Sequence, residues 1–204
     1  MNQDVVAEIA GSVSFILKAE RTALNFILRL SGVATETSNY VRAVASTKAR
    51  ITDTRKTLPG LRMLDKYAVR AGGGHNHRRN LGDGILIKDN HIHALRGQGL
   101  RLSDIIRKAK ATASHTIKIE VEVENMDQAQ EALEAGAEIL LLDNMGLAEM
   151  ALVVEMVQGT AVIEASGLIN LETVQDVAAT GVDLISVGAI THSAHALDIS
   201  LDIW

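Results

Sequence analysis

Four predicted strands in the second half of the chain each carry a polar residue near their end, at almost constant spacing. These residues are Glu122, Asp143, Glu164 and Ser186, and they follow one another at intervals of 21, 21 and 22 positions. The pattern predicts strand 116–124, helix 126–135, strand 137–143, helix 147–158, strand 161–165, helix 171–179 and strand 182–187. Repeated strand–helix units of this kind form a parallel α/β sheet, which is either closed or open.

The predicted strand 116–124 alternates strictly between apolar and charged residues. Its apolar face holds Ile117, Ile119, Val121 and Val123, and its charged face holds Lys118, Glu120, Glu122 and Glu124. In a parallel barrel the outer face packs on helices and the carboxyl ends of the strands form the active-site mouth. We therefore expect the charged face to point into the lumen and the four equally spaced residues to surround one mouth. The alternative is an edge strand with a solvated charged face.

The composition indicates a cytoplasmic globular protein with an aliphatic core. The 204 residues suffice for one well-buried domain with or without an appendage; 47% are apolar and only 2% are aromatic. A net charge of −5 argues against broad binding to nucleic acids or anionic membranes, which require many Lys and Arg residues. The absence of cysteine excludes thiolate chemistry and fits a reducing compartment. The start of the chain resembles neither a signal peptide nor a membrane span, and helical periodicity over about 2–32 predicts one or two helices.

Cationic residues gather between positions 54 and 91 of this acidic chain. They are Arg55, Lys56, Arg78 and Lys88, accompanied by His77 and His91. Such clustering predicts a pocket for a small polyanion. A solvated turn before Pro59 would explain Arg55 and Lys56 equally well. The His-x-His pairs at 75–77 and 91–93 permit a zinc site, but no cysteine accompanies them and the nearby cations would repel a metal.

Two loops that join predicted strands to helices have the composition of anion-binding turns. The loop at 165–170 contains Ser166 and Gly167, and the loop at 187–193 contains Gly188 and His192. Glycine lets backbone amides approach a ligand, and the free N–H groups at a helix start favour phosphate. An ordinary turn explains either loop taken alone.

Seven stretches of the sequence together resemble a known enzyme family. They are 20–37, 54–62 (ThrArgLysThrLeuProGlyLeuArg), 66–78, 86–92, 120–124, 140–144 and 187–202. The chain is similar to quinolinate phosphoribosyltransferase, the carboxylating nicotinate-nucleotide pyrophosphorylase of NAD synthesis, from about residue 19 to the C-terminus. The resemblance implies an open or incomplete parallel α/β barrel of the type II phosphoribosyltransferase kind. It further implies a remnant of an N-terminal α/β sandwich domain at 1–24, a catalytic barrel at 25–191, and a C-terminal segment at 192–204 that packs toward the N-terminal domain.

The resemblance implies a reaction and a set of site residues. Quinolinate and phosphoribosyl pyrophosphate would give nicotinate mononucleotide, pyrophosphate and CO2 with Mg²⁺ as cofactor. Quinolinate would be held by Arg55, His77, Arg78 and Lys88, by Arg21 from the other subunit of a homodimer, and by Lys56 between it and the pyrophosphate. Lys56, Lys88, Glu122 and Asp143 would be catalytic, with the two acids meeting the ribose and, directly or indirectly, Mg²⁺. The 5-phosphate would be bound by Ser166, Gly167, Gly188 and His192.

The chain also departs from the family pattern. Most of the N-terminal domain is expected to be missing, and Leu168 stands where the family usually has a second glycine. Two alternatives to an active enzyme therefore stay open. One is a truncated, non-catalytic barrel that only dimerises, and the other is a pyrophosphorylase-like relative associated with molybdenum uptake.

Overall fold

The computed structural model of the protein describes residues 4–204 and contains one sheet of six parallel strands. The strands are β1 (Arg50–Thr52), β2 (Ile85–Ile87), β3 (Ile119–Val123), β4 (Ile139–Asp143), β5 (Val162–Ser166) and β6 (Leu184–Ser186). The helices are α1 (Val13–Ala43), α2 (Arg62–Ala71), α3 (Asp89–Arg96), α4 (Leu102–Thr112), α5 (Met126–Glu134), α6 (Leu147–Val157), α7 (Val174–Ala179) and α8 (Ala189–His192). Two helices, α3 and α4, separate β2 from β3, and strands and helices alternate from β3 onward, which confirms the predicted α/β class.

The sheet is an open barrel, because its two edge strands do not pair with each other. The strand order is β1-β6-β5-β4-β3-β2, with every pairing parallel. The chain after α2 adds a short extension beside β1: His75 N donates to Ile51 O at 2.8 Å, and Asp53 N donates to His75 O at 3.1 Å. This extension carries His77 and Arg78 to the open side of the barrel.

The two faces of β3 have the chemistry that the alternation predicted. Ile119, Val121 and Val123 are at most 1% exposed and belong to the hydrophobic core, which α4 and α5 cover from outside. Glu120 and Glu122 point the other way and are also buried. Because β2 and β4 flank β3 on both sides, the edge-strand alternative is wrong. Glu120 and Glu122 line the lumen, whereas Lys118 and Glu124 lie outside β3 and are exposed, so the prediction holds for two of the four charged residues.

Equal sequence spacing does not place the four strand-end residues at one height. Glu122 is in register with Leu141, and Leu141 with Glu164, whereas Asp143 is in register with Ser166. Since side chains on one face of a strand recur every two residues, Glu122 and Glu164 lie one repeat deeper than Asp143. The prediction of one ring of four side chains is wrong in this respect: Glu164 is buried in the lumen floor, while Asp143 is half-buried at the mouth.

The first helix is longer and begins later than predicted. A single helix runs from Val13 to Ala43, so the predicted boundary at 24/25 falls inside it. The C-terminal segment packs along this helix, since Leu197 N donates to Leu28 O at 3.1 Å and Gly32 has no room for a Cβ against the backbone of His195. No helix within residues 4–204 combines the length and hydropathy needed to cross a bilayer.

The remaining boundaries lie within three residues of the predicted ones. Two shifts reach three residues: β3 starts at Ile119 instead of 116, and α7 starts at Val174 instead of 171. The side chain of Asn170 explains the later start of α7, because its Oδ1 accepts from Glu172 N at 2.9 Å and Thr173 N at 3.1 Å, and so holds a separate turn before the helix.

Candidate active site

The loop after β1 presents Arg55 and Lys56 on a firmly held backbone. Asp65 of α2 accepts a hydrogen bond from Leu58 N at 3.1 Å, and Thr191 Oγ1 of α8 donates to Lys56 O at 2.8 Å. The side chains of Arg55 and Lys56 themselves are exposed. Two helices thus fix the position of a loop whose cations face solvent, an arrangement that favours a binding loop over a freely solvated turn.

A buried aspartate organises the segment next to this loop. Asp53 is fully buried and accepts from Lys66 Nζ at 2.5 Å, from Asn76 Nδ2 at 2.7 Å and from His77 N at 2.8 Å. Sequence reasoning missed Asp53, Lys66 and Asn76. The available signal was a single charged residue directly after the short strand ArgIleThr, whose last two residues are buried, since a buried charge needs partners.

His77 lies between Arg78 and two glutamates of the lumen. Its Nδ1 accepts the Arg78 backbone N–H at 2.8 Å, and its Nε2 lies 3.2 Å from a Glu120 oxygen and 3.7 Å from Glu164 Oε1. Burial lowers the pKa of His77, but the hydrogen bond to Glu120 and the charge of Glu164 outweigh that effect and leave the pKa raised. Both ring nitrogens are therefore occupied by protein groups.

Glu164 is the most deeply buried glutamate of the site. It is 1% exposed, and its Oε1 has no hydrogen-bond partner. Burial and the neighbouring charge of Glu120 raise its pKa from 4.5 to about 7. Ligand atoms of His77, Glu120 and Glu164 lie within 4.8 Å of one another, a spacing that could hold a divalent ion. Within residues 4–204 no such group contains two histidines, so the His-x-His pairs do not form a zinc site there.

Lys88 and Glu122 form an ion pair across two neighbouring strands. Lys88 follows β2 directly, and its Nζ donates to Glu122 Oε2 at 2.6 Å; Asp89 N lies 3.4 Å from Glu122 Oε1. Glu122 is 8% exposed at its side chain and Lys88 is 47% exposed. The ion pair therefore lies at the mouth, with Glu122 in the lumen wall and Lys88 partly in solvent.

Arg55 and Arg78 bring two guanidinium groups together. Burial lowers the pKa of Arg78, and the positive charge of Arg55 lowers it further. Arg78 Nη1 donates to Gly84 O at 2.8 Å, which fixes its direction. Among the described residues neither arginine forms an ion pair with a carboxylate. Like charges that share a site without protein counter-ions are suited to an anionic ligand.

The two predicted phosphate loops lie beside these groups. Gly167 has φ 129°, and a Cβ there would lie 2.5 Å from Asn144 Oδ1, so only glycine fits. Asn144 in turn donates to Asp143 Oδ2 at 2.9 Å. A Cβ on Gly188 would lie 3.1 Å from Lys56 Cδ and 3.3 Å from His192 Nε2, which places these three residues in contact.

Leu168 does not strain the first loop. Among residues 4–204 only Asn144 and Gln158 combine a side chain with a positive φ, and Leu168 is 93% exposed. A glycine is therefore not required at position 168 in this backbone. The departure from the family pattern leaves the fold of the loop intact.

Arg21 is not brought to the site within this chain. It lies on α1 with its side chain 71% exposed, and its ion pair, at 4.0 Å, is with the adjacent Glu20. His91 has a local structural part, because its Nδ1 accepts from Lys88 N at 3.0 Å at the start of α3. The remaining predicted residues, including Ser166 and His192, border the mouth described above.

Comparison with known proteins identifies the architecture. Residues 33–202 match the model of the quinolinate phosphoribosyl transferase C-terminal domain. The chain is 46% identical over 200 residues to the probable carboxylating nicotinate-nucleotide pyrophosphorylase of Bacillus subtilis, covering 98% of this chain and 68% of that protein. It is 47% identical over 191 residues to the corresponding Mycobacterium leprae enzyme, covering 92% of this chain and 66% of that protein.

Solved structures agree with these relatives. The crystal structure of NadC from Streptococcus pyogenes superposes with a TM-score of 0.90 at 44% identity, covering 96% of this chain and 67% of that one. The chain thus spans about two thirds of the length of the relatives that it matches. It belongs to the quinolinate phosphoribosyl transferase family, and residues 33–202 form the C-terminal domain of that family.

Proposed function

We propose that the chain transfers the phosphoribosyl group of phosphoribosyl pyrophosphate to quinolinate and releases CO2, forming nicotinate mononucleotide for NAD synthesis. The observation that carries this proposal is the pair of neighbouring guanidinium groups of Arg55 and Arg78, neither of which forms an ion pair with a carboxylate among the described residues, although the charge of Glu120 acts on Arg78. Two adjacent carboxylates on a rigid pyridine ring match two such cations. The names of the relatives favour the same reaction and do not favour a non-catalytic barrel or a molybdenum-associated protein.

The chemistry requires groups of opposite charge on the two sides of the ribose. The ring nitrogen of quinolinate forms a bond to the anomeric carbon, whose bond to pyrophosphate breaks and leaves positive charge on the sugar. Glu122 and Asp143 would stabilise that charge, and Lys56 would stabilise the departing pyrophosphate. Loss of the carboxylate next to the ring nitrogen leaves an electron pair on carbon, which takes a proton from solvent. Lys88, close to Glu122, would hold the dicarboxylate beside the sugar.

Mg²⁺ is proposed as cofactor because carboxylate oxygens are available at the mouth. Asp143 is half-buried there, with Asn144 as its hydrogen-bond donor, and offers a hard oxygen ligand. Glu122 is already 2.6 Å from Lys88, so it fits an indirect contact through water better than direct coordination. When bound, Mg²⁺ would neutralise charge on the leaving pyrophosphate.

A cytoplasmic homodimer is proposed as the working form. Arg21 is exposed on α1, and its only ion pair within residues 4–204 is with the adjacent Glu20, which supports its delivery into the pocket of a partner. The absence of cysteine fits a reducing compartment.

The proposal is tested by incubating the purified chain with quinolinate, phosphoribosyl pyrophosphate and Mg²⁺ and separating the products. Nicotinate mononucleotide is expected only when all three are present. A chain that binds quinolinate but forms no nucleotide would support the non-catalytic alternative. A chain that does neither would contradict the substrate assignment.

A further inference from the structure

Two charged residues next to the site form an ion pair that is closed to solvent. The side chains of Lys66 and Asp53 are 3% and 0% exposed, and Lys66 Nζ lies 2.5 Å from Asp53 Oδ1. A buried ion pair stabilises a fold little more than apolar residues of the same size would, because both charges lose their hydration. What this pair does for the protein is determined by the other groups that the two charges hold.

The carboxylate of Asp53 joins the two segments that carry the arginines of the site. Asp53 directly follows β1 and precedes Arg55 by two residues. Its Oδ1 accepts from His77 N at 2.8 Å, and its Oδ2 accepts from Asn76 Nδ2 at 2.7 Å. Since His77 directly precedes Arg78, one buried carboxylate connects the backbone leading to Arg55 with the backbone leading to Arg78.

The ammonium of Lys66 joins the same two segments through their carbonyl groups. Its Nζ donates to His77 O at 2.9 Å and lies 3.5 Å from Thr54 O. Each of these carbonyls belongs to the residue directly before an arginine of the site. The peptide groups before Arg55 and Arg78 are thus held by one cation, which α2 supplies from outside the two segments.

The spacing of the two arginines decides which anions the site can hold. The charge of Arg55 acts on Arg78, so the two guanidinium groups are near enough to repel each other. A flexible backbone would let them separate in the free protein, and a ligand would then have to supply the free energy that brings them together. A backbone fixed by Asp53 and Lys66 keeps them together before binding. Two adjacent carboxylates gain from both cations, whereas a single carboxylate gains from one.

We propose that Asp53 and Lys66 are positioning residues that set the spacing of Arg55 and Arg78, and that this spacing makes the site selective for adjacent dicarboxylates over monocarboxylates. This inference rests on the proposed function for the choice of ligand, but its test measures binding alone. Quinolinate is the dicarboxylate probe. Nicotinate is the matched monocarboxylate, since it has the same pyridine ring and lacks the carboxylate next to the nitrogen.

The test variant is Asp53→Asn combined with Lys66→Met, which removes both charges, changes the side-chain volumes little and leaves no buried charge alone. Calorimetry should show a dissociation constant for quinolinate at least roughly tenfold above that of the wild type, and a change of less than about threefold for nicotinate. Lys48→Met, which breaks an exposed ion pair, should keep both constants. Unchanged constants in the double variant, or equal losses for the two ligands, would overturn the proposal.

The same titrations separate this inference from a structural role of the pair and from the proposed function. A purely structural role would lower the number of binding sites per chain and leave both dissociation constants unchanged. A wild-type chain that binds no quinolinate would reject the substrate of the proposed function and this inference with it. If the selectivity changes as expected while no nucleotide is formed, the reaction assignment fails and this inference stands.

A measurement on the wild type covers the case in which the double variant does not fold. The backbone N–H of His77, which Asp53 holds, should exchange slowly with solvent deuterium in the free protein, and quinolinate should slow the exchange further by less than about threefold. An N–H that exchanges rapidly in the free chain and is slowed at least roughly tenfold by quinolinate would overturn the proposal, because the ligand would then set the spacing.

Discussion

Lys88 Nζ lies 2.6 Å from Oε2 of Glu122, so the cationic segment and the acidic strand of this protein meet at one point. Lys88 directly follows β2, and Glu122 belongs to the neighbouring β3. The parallel pairing of β2 with β3 holds the two backbones side by side. The contact brings a cation suited to a substrate carboxylate next to an anion suited to a ribose cation. We therefore expect both residues to act on the transition state.

Lys88→Ala should reduce kcat/KM for quinolinate by roughly a hundredfold or more, about 2.7 kcal/mol of transition-state stabilisation. The change removes the ammonium and leaves Glu122 without its ion-pair partner. Lys118→Ala is the matched control, because Lys118 is exposed before the start of β3. Steady-state kinetics should show wild-type values for the control. Similar losses of kcat/KM in the two variants would show that Lys88 has no specific role in the reaction.

Gly167→Ala should weaken binding of phosphoribosyl pyrophosphate far more than Leu168→Ala. The first change adds a Cβ at φ 129° that would lie 2.5 Å from Asn144 Oδ1, a strain of about 1–3 kcal/mol. The second shortens a side chain that is 93% exposed. The KM for phosphoribosyl pyrophosphate should rise roughly tenfold in the first variant and little in the second. Equal KM values in the two variants would show that this loop does not bind phosphoribosyl pyrophosphate.

Lys66→Met should lower the free energy of unfolding by about 3–5 kcal/mol, because it leaves Asp53 buried without its cation. Lys48→Met breaks the ion pair between Lys48 and Asp183. Because the Lys48 side chain is 61% exposed, this change should lower the free energy of unfolding by less than about 1 kcal/mol. Urea denaturation of the two variants gives the comparison directly. A small loss in Lys66→Met would mean that Asp53 does not organise the segment that carries His77.

Glu164→Gln should flatten the pH dependence of stability. The pKa of Glu164 is raised from 4.5 to about 7 in the folded protein. The stability that the neutral form of Glu164 contributes to the free energy of unfolding is therefore fully present below about pH 4.5 and is lost as pH rises through about 7. A glutamine has no such titration. Between these pH values the wild type should lose up to about 3 kcal/mol from this group, and the variant should lose less. Parallel curves of unfolding free energy against pH for the wild type and Glu164→Gln would contradict the raised pKa of Glu164.

Mixed subunits test the proposed origin of Arg21. Arg21→Ala and Lys88→Ala chains should each be inactive alone. Mixing them in equal amounts should restore about a quarter of wild-type activity at most, because about half of the dimers are mixed and one of the two sites in each mixed dimer is intact. Native mass measurement should show the dimer. An absence of recovery in a verified mixed dimer would place the action of Arg21 within its own chain or outside the reaction.

The sequence predicted those parts of the molecule that have a repeating pattern. The alternation in β3 predicted the lumen face of Glu120 and Glu122. The extension of α1 to Ala43 was missed because 33–43 contains Thr, Ser and Asn, which favour helices weakly. Burial of Val33, Thr37 and Tyr40 along one side compensates for that.

Contacts between residues distant in sequence could not be predicted. His77 and Glu164 meet only because the extension beside β1 reaches the lumen floor, which no local pattern indicates. The different heights of Glu122 and Asp143 depend on the stagger between β3 and β4, which equal spacing does not specify. For Asp53, the sequence offered only one charged residue, with no pattern that indicated its partners.

The central claim is tested most directly with quinolinate that carries a carbon label in the carboxylate next to the ring nitrogen. The purified chain, supplied with phosphoribosyl pyrophosphate and Mg²⁺, should release labelled CO2 and form unlabelled nicotinate mononucleotide in equal amounts, and Lys88→Ala should do so at least roughly a hundredfold more slowly. Absence of labelled CO2 from a folded dimer that binds both substrates would contradict the account.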